Sequence, residues 1–429
     1  MSDENSRFGF RPARRQFMYR AGALGLAGIA GGQAFAAGVP RVIGVPAQPN
    51  PPTVTLPFEN GERPLIQYPQ KRPLIELTSR PPQLETPFSV FNEGVLTPND
   101  AFFVRYHLAK IPLTINPATW RLTVGGNVNT PLSLSLGELK MLPQVEVVAV
   151  NQCSGNSRGL FTPRIQGGQL ANGAMGNARW TGVRLKDVLA RASVAEGAVQ
   201  VTFNGMDNAT KAYDETPDFV KALNIDHALD GEVMLAYAMN GEPLPLLNGY
   251  PLRLVVPGYY GTYWIKHLNE ITVTDKVFDG FWMATGYRIP DNACACVPPG
   301  TRPERTVPIN RMNVRSFITS LTDGEHIPAG RATVVKGIAF DGGSGIRSVA
   351  FSADGGASWR EAQLGQDLGN YSFREWTIAL TPPQAGPLVL QAKATNGAGQ
   401  TQPVEVAWNP SGYMRNVIES VGVTAVKGA

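Results

Sequence analysis

Cys153 is the residue in this chain best placed to do unusual chemistry. It lies in Asn151-Gln152-Cys153-Ser154-Gly155-Asn156-Ser157-Arg158, directly after the apolar run Val145 to Val150. A lone cysteine is more often an inert core residue than a ligand. Its neighbours tilt that balance, because the thiol would stand at a strand end in a polar, glycine-containing loop with Arg158 close enough to hold a thiolate. A thiolate is a soft ligand suited to a redox-active transition metal. The other cysteines are Cys294 and Cys296, and the four histidines are His107, His227, His267 and His326. Three cysteines make no disulfide framework, no two histidines stand at zinc-ligand spacing, and without a C-x-x-C-H there is no attachment point for a c-type haem. Cys294-Ala295-Cys296 reads either as two thiols or, in an oxidising compartment, as a disulfide. The small C-x-C ring weighs toward thiols, and no ligands nearby suggest a second metal site.

These residues need elements to position them. From about Phe88 to Asp275 short strand-like runs alternate with turns: Trp120 to Val124, Val145 to Val150, Pro251 to Val256 and Ile271 to Thr274 are β-rich. Arg184 to Ala190 and Asp218 to Leu223 are candidate helices. The expectation is a mixed α+β domain over 88–309 with its functional residues on loops. From about Asn310 alternating strands with turns at Asp354-Gly355 and Asn396-Gly397 predict a β-sandwich over 310–429. Residues 37–87 are Pro-rich without periodicity, which reads as an extended arm or a linker.

The N-terminus carries an address. Arg14-Arg15-Gln16-Phe17-Met18 is a twin-arginine pair, followed by the apolar stretch Ala21 to Ala30 and by Ala34-Phe35-Ala36, a small-x-small cleavage pattern. Residues 1–36 are therefore expected to be an export signal that delivers a folded protein to the periplasm. No run reaches the roughly 20 apolar residues of a membrane span. The formal charge is +4, but five arginines and only two acids lie in the leader, leaving the remainder near +1. So small a charge argues against a nucleic-acid partner.

The loop Cys153-Ser154-Gly155-Asn156-Ser157-Arg158 resembles the cysteine loop of the sulfite oxidase family of molybdenum enzymes. Further segments resemble the family in order: Phe102-Phe103-Val104-Arg105-Tyr106-His107, Gly176-Asn177-Ala178-Arg179-Trp180-Thr181-Gly182-Val183, Leu235 to Pro245, and Tyr250 to Gly258. The C-terminal region, with Ser352-Ala353-Asp354-Gly355-Gly356-Ala357-Ser358-Trp359, is similar to the family's immunoglobulin-like dimerisation domain. The resemblance runs from about Phe88 to Trp408. It implies a molybdenum–molybdopterin cofactor with Cys153 as the metal ligand. It places Phe103, Arg105, His107, Asp207, Asn248, Arg253, Trp264 and Lys266 against the cofactor, and Arg105, His107, Arg158 and Tyr287 around the substrate anion. Such roles suit the residue types: arginine offers a planar fork to oxyanions, and tyrosine donates without adding charge. Arg179 and Arg184 read instead as surface ion pairs, and Tyr259, Tyr260 and Tyr263 as core.

The chain also departs from the animal members. Ser411 stands where they carry a further arginine, Leu170 where they carry a pocket tryptophan, Gln166 for a lysine, and Asn248 for a pterin-contacting histidine. No histidine precedes His107, so the haem domain of the animal enzymes is not expected. The resemblance thus implies the haem-free periplasmic branch: oxidation of sulfite to sulfate by a homodimer that passes electrons to an external acceptor such as a periplasmic cytochrome c. Within the family the rivals are an S-oxide reductase and a sulfane dehydrogenase. Outside it, the rival is a two-domain binding protein.

Overall fold

The computed structural model describes residues 50–208 and 217–427. The twin-arginine leader lies outside them. Among the described residues strands dominate and helices are short, the longest being Leu185–Ala192. The α+β expectation therefore overstates the helices. No helix among these residues is long and apolar enough to cross a membrane.

The described part of the segment read as an arm, residues 50–87, is a sheet. Thr53–Thr55, Glu62–Gln67, Pro73–Ser79 and Pro82–Glu85 form an antiparallel meander in chain order, and Val104–Arg105 adds its last strand. Prolines at strand starts and turns interrupt the alternation that would have revealed it. Leu74 and Leu84, both buried, pack with Val104 and Tyr106 beneath this sheet. The meander thereby fixes the segment that carries Phe103, Arg105 and His107.

Two further sheets build the body. In one, Gln144–Gln152 pairs along its length with Met175–Arg184, which pairs in turn with Met234–Met239; Arg253–Val255 lies beside the last. Gln144–Gln152 alternates at its start and is fully buried at its end, so Cys153 emerges from the core. In the other, Gln200–Gly205 pairs antiparallel with Leu268–Thr274, with Gly205 opposite Leu268. That register sets Asp207, just past one strand, beside Lys266, just before the other.

The helix expected near 184–190 is present as Leu185–Ala192. Its buried residues Leu185, Val188, Leu189 and Ala192 recur at one-turn spacing on a single face. The helix expected over Asp218–Leu223 is instead the strand Lys221–Asn224, an edge partner of Gln200–Gly205. A short apolar run carries no periodicity long enough to separate the two.

Beyond residue 310 two sheets face each other. Arg315–Ile318, Thr333–Phe340, Arg374–Leu380 and Gln363–Leu364 form one; Glu325–Pro328, Ser420–Val426, Gly386–Asn396, Ile346–Ser352 and Arg360–Glu361 form the other. Both expected turns are in place. The Asp354 carboxylate accepts from Ser352 and Ser358 across one turn, and Asn396 bonds Gln400 across the other. The sandwich has its own core around Val335, Phe351 and Trp376. Phe317, Phe340, Phe373 and Met414 instead join the core of the preceding domain.

Candidate active site

The cysteine loop is held from three sides. Cys153 N–H donates to Ala174 O (2.9 Å), and Ala174 N–H donates to Asn156 Oδ1 (3.0 Å). Ser157, at φ 69°, donates through Oγ to Asn172 Oδ1 and accepts from Arg315 of the sandwich (2.7 Å). The Cys153 thiol, free and buried, opens into a recess. Phe103, Arg105, His107, Asp207, Asn248, Arg253, Trp264, Lys266 and Tyr287 line the same recess. Residues spread over 184 positions of sequence thus converge on one cavity.

One part of the wall is cationic. The Arg253 guanidinium lies against the rings of both Trp180 (5.3 Å) and Trp264 (5.7 Å) and donates to Asn248 O (3.0 Å); burial lowers its pKa to about 9. Lys266 Nζ donates to Arg105 O (2.6 Å) over the Tyr106 ring. Desolvation, reinforced by Arg253, brings its pKa down to about 7. Among the described residues Asp207 is the one carboxylate lining the recess, and burial raises its pKa against the pull of Lys266.

Another part is aromatic. His107 lies flat on Phe219 (3.7 Å) with Nε2 against the Tyr287 hydroxyl. Desolvation, then Arg105, holds the His107 pKa well below its ordinary value, so the ring is neutral at pH 7. Burial pushes the Tyr287 phenol well up, so it keeps its proton. Tyr287 sits at φ 58° and stacks on Tyr413 at 5.3 Å.

Arg158 departs from expectation, for it does not line the recess. Its Nε donates to Ser411 O (2.9 Å), NH1 to Gly168 O (3.4 Å), and its guanidinium faces the Tyr413 ring at 5.2 Å. A Cβ on Gly155 or Gly412 would come within 3 Å of the Arg158 side chain, so close packing fixes it there. Arg158 therefore meets the site through Tyr413, which stacks on Tyr287. Tyr413, Phe219 and Thr262 were missed, and no motif spacing marks them; Asn151 and Ser154, also lining the recess, lie within the cysteine loop but were given no role of their own. Arg179 does pair with Glu146 (3.6 Å), and Tyr260 and Tyr263 are buried, as read. Arg184 donates to Gly231 O and forms no ion pair with an acid among the described residues.

Cys294 and Cys296 form a disulfide. Ala295 at φ 48° turns the chain so that the two Cα atoms lie 5.1 Å apart, within the span a disulfide bridges.

Among the described residues several buried polar atoms around the recess have no partner: both side-chain atoms of Asn151, Ser154 Oγ, Thr262 Oγ1 and Arg253 Nε. Buried groups left so are costly unless a ligand satisfies them. Unpaired donors and acceptors, an excess of cations and one thiol fit a polar, anionic group bearing a soft metal.

Known proteins agree. The family model described as oxidoreductase molybdopterin binding domain matches residues 108–282, and the Mo-co oxidoreductase dimerisation domain matches 306–425. The chain is 33% identical to the mitochondrial sulfite oxidase of Mus musculus over 395 residues, which is 88% of this chain and 70% of that one. It belongs to the sulfite oxidase family. The sulfite oxidase of Arabidopsis thaliana is 30% identical over 84% of this chain and 96% of its own. Among solved structures, the sulfane dehydrogenase SoxCD from Paracoccus pantotrophus superimposes with a TM-score of 0.69 at 26% identity, covering 82% of this chain and 87% of that one.

Proposed function

We propose that this chain is an exported, molybdenum-dependent sulfite dehydrogenase, oxidising sulfite to sulfate and delivering electrons to an external acceptor such as a periplasmic cytochrome c. The observation that carries the reading is the convergence of the Cys153 thiol, the Arg105 cation and the His107–Tyr287 pair on one recess. Cys153 would hold the metal; Phe103, Asp207, Asn248, Arg253, Trp264 and Lys266 would hold the pterin and its phosphate. When bound, that group supplies a two-electron centre able to transfer an oxygen atom.

The chain's own residues do the rest. Arg105 binds and orients a compact oxyanion by charge-assisted hydrogen bonds. The Tyr287 hydroxyl retains its proton, and neutral His107 holds it in place at Nε2. Phe219 and Trp282 pack round that histidine and keep water from it. The sandwich supports a homodimer, and the leader supports export by the twin-arginine route.

The likeness to SoxCD favours a second reading, a sulfane dehydrogenase. Identity of 30–34% to sulfite oxidases of animals and a plant weighs toward sulfite. Assay of the purified protein for molybdenum, and for cytochrome c reduction with sulfite and with a protein-bound sulfane, decides. Sulfite turnover with an inert sulfane is expected; the converse would replace the proposal, and an S-oxide consumed with a reduced dye would mark a reductase.

A further inference from the structure

Lys71 lies in the turn between Glu62–Gln67 and Pro73–Ser79, in the N-terminal sheet and outside both matched family domains. It is only 3% exposed. Its ammonium donates to Asn99 O (2.5 Å), Phe102 O (3.0 Å) and Asn248 Oδ1 (2.5 Å). All three acceptors are uncharged. Asp100, the acid that attracts it, is already bound by Arg72 at 2.9 and 3.0 Å, and Arg253 repels it. A buried ammonium without a carboxylate of its own is expensive, and three bonds to neutral oxygens recover only part of the cost.

Those bonds act on the recess. With Oδ1 taken by Lys71, the Asn248 amide can only turn Nδ2 outward, and it donates to Phe103 O (3.1 Å). Lys266 holds the next carbonyl but one, Arg105 O. The wall Phe102–Arg105 is thus gripped at three carbonyls by Lys71, Asn248 and Lys266. Asn248 and Lys266 line the recess themselves; Lys71 stands behind them as a further cation.

We propose that Lys71 is a positioning residue of the cofactor recess: it fixes the Asn248 amide and the Phe102–Arg105 wall, and its buried charge is balanced by the anionic ligand the recess receives. The inference rests on the cofactor reading above. It couples the N-terminal sheet to cofactor retention, since the sheet contributes a cation that only a loaded recess compensates.

The test uses the full-length chain as wild type, Lys71→Gln and Lys71→Met, produced both in a host that makes the pterin and in one that cannot. Glutamine can still donate to a carbonyl of the staple without charge, so it decides should the methionine variant not fold. The readouts are molybdenum and released pterin per chain after dilution, and the thermal midpoints of loaded and empty protein. Loss of a supporting partner behind the ligating shell predicts retention lower by about tenfold or more for Lys71→Gln, with an empty-form midpoint close to wild type and a smaller gain on loading. Wild-type retention and an undiminished gain overturn the proposal. So does an equal loss of midpoint in both forms with retention unchanged, which would make Lys71 a staple alone. Wild type devoid of molybdenum and pterin would sink the cofactor reading instead.

Discussion

Replacing one sulfur by oxygen tests the metal ligand. The Cys153 side chain is buried and small, so Cys153→Ser should fold as wild type while losing sulfite turnover and molybdenum, because a hydroxyl is a poor ligand for a soft metal. Substantial turnover by the folded, molybdenum-containing variant would remove Cys153 from the centre. The two arginines separate in the same assay. Arg105 lines the recess and Arg158 does not. A lost charge-assisted hydrogen bond costs about 1.5–3 kcal/mol, so Arg105→Gln should lower kcat/KM by at least about tenfold. Arg158→Gln should cost less, acting through the Tyr413–Tyr287 stack. Arg158→Gln as damaging as Arg105→Gln would mean that Arg158 swings into contact with the anion. At this scale the sequence was most legible where residue type is dictated by chemistry. Cys153, Arg253 and Lys266 stand in recognisable segments. Tyr413 is brought to Tyr287 only by packing of the second domain, and no local pattern announces it.

At the scale of elements, strand existence was readable and strand context was not. Val145 to Val150 became a strand because β-branched residues fill a sheet buried at one end. Lys221–Asn224 defeated the same reasoning, since its pairing with Gln200–Gly205 is set from 20 residues away. The N-terminal meander was hidden by its prolines, although it supplies the strand pairing that holds Arg105. The sheet behind the site also depends on one absent side chain. A Cβ on Gly182 would stand 2.0 Å from Leu235 O, in the pairing of Met175–Arg184 with Met234–Met239. Overpacking against backbone cannot be relieved by a rotamer change, so Gly182→Ala should destabilise by about 1–3 kcal/mol. Gly125→Ala is the control, having negative φ and nothing within 4 Å. Equal thermal midpoints for the two variants would contradict the close approach.

For the whole molecule, export and charge burial make separate demands. If the leader is read by the twin-arginine route, changing Arg14 and Arg15 together to lysine should leave the protein in the cytoplasm. Periplasmic accumulation of the double variant, followed by fractionation, would refute that address. Charge burial gives a pH signature. Lys71 and Lys221 are both brought by burial from 10.5 to about 7, while burial raises the Glu85 carboxyl from 4.5 to about 7. Between pH 4.5 and 7 the unfolded chain has released the Glu85 proton that the folded chain keeps, so this group makes stability fall as pH rises. Between pH 7 and 10.5 the unfolded chain keeps the lysine protons that the folded chain has released, so stability climbs again. The two lysines thus make cofactor-free protein gain stability above about pH 7, while below neutrality Glu85 works against buried His107 and His267, whose lowered pKa values make stability rise with pH. Thermal midpoints from about pH 5 to about pH 10 should show the alkaline rise, with Lys221→Met reducing it and Glu85→Gln making the change below neutrality more positive. An anionic ligand in the recess favours the protonated form of Lys71 and weakens its share of the alkaline rise. Lys221 donates to Trp282 O and lies over the rings of Tyr263 and Tyr287, with no acid acting on it among the described residues, and should keep its share. A midpoint that changes in one direction across the whole range, equally in wild type and both variants, would show that these buried charges do not govern the stability of the fold.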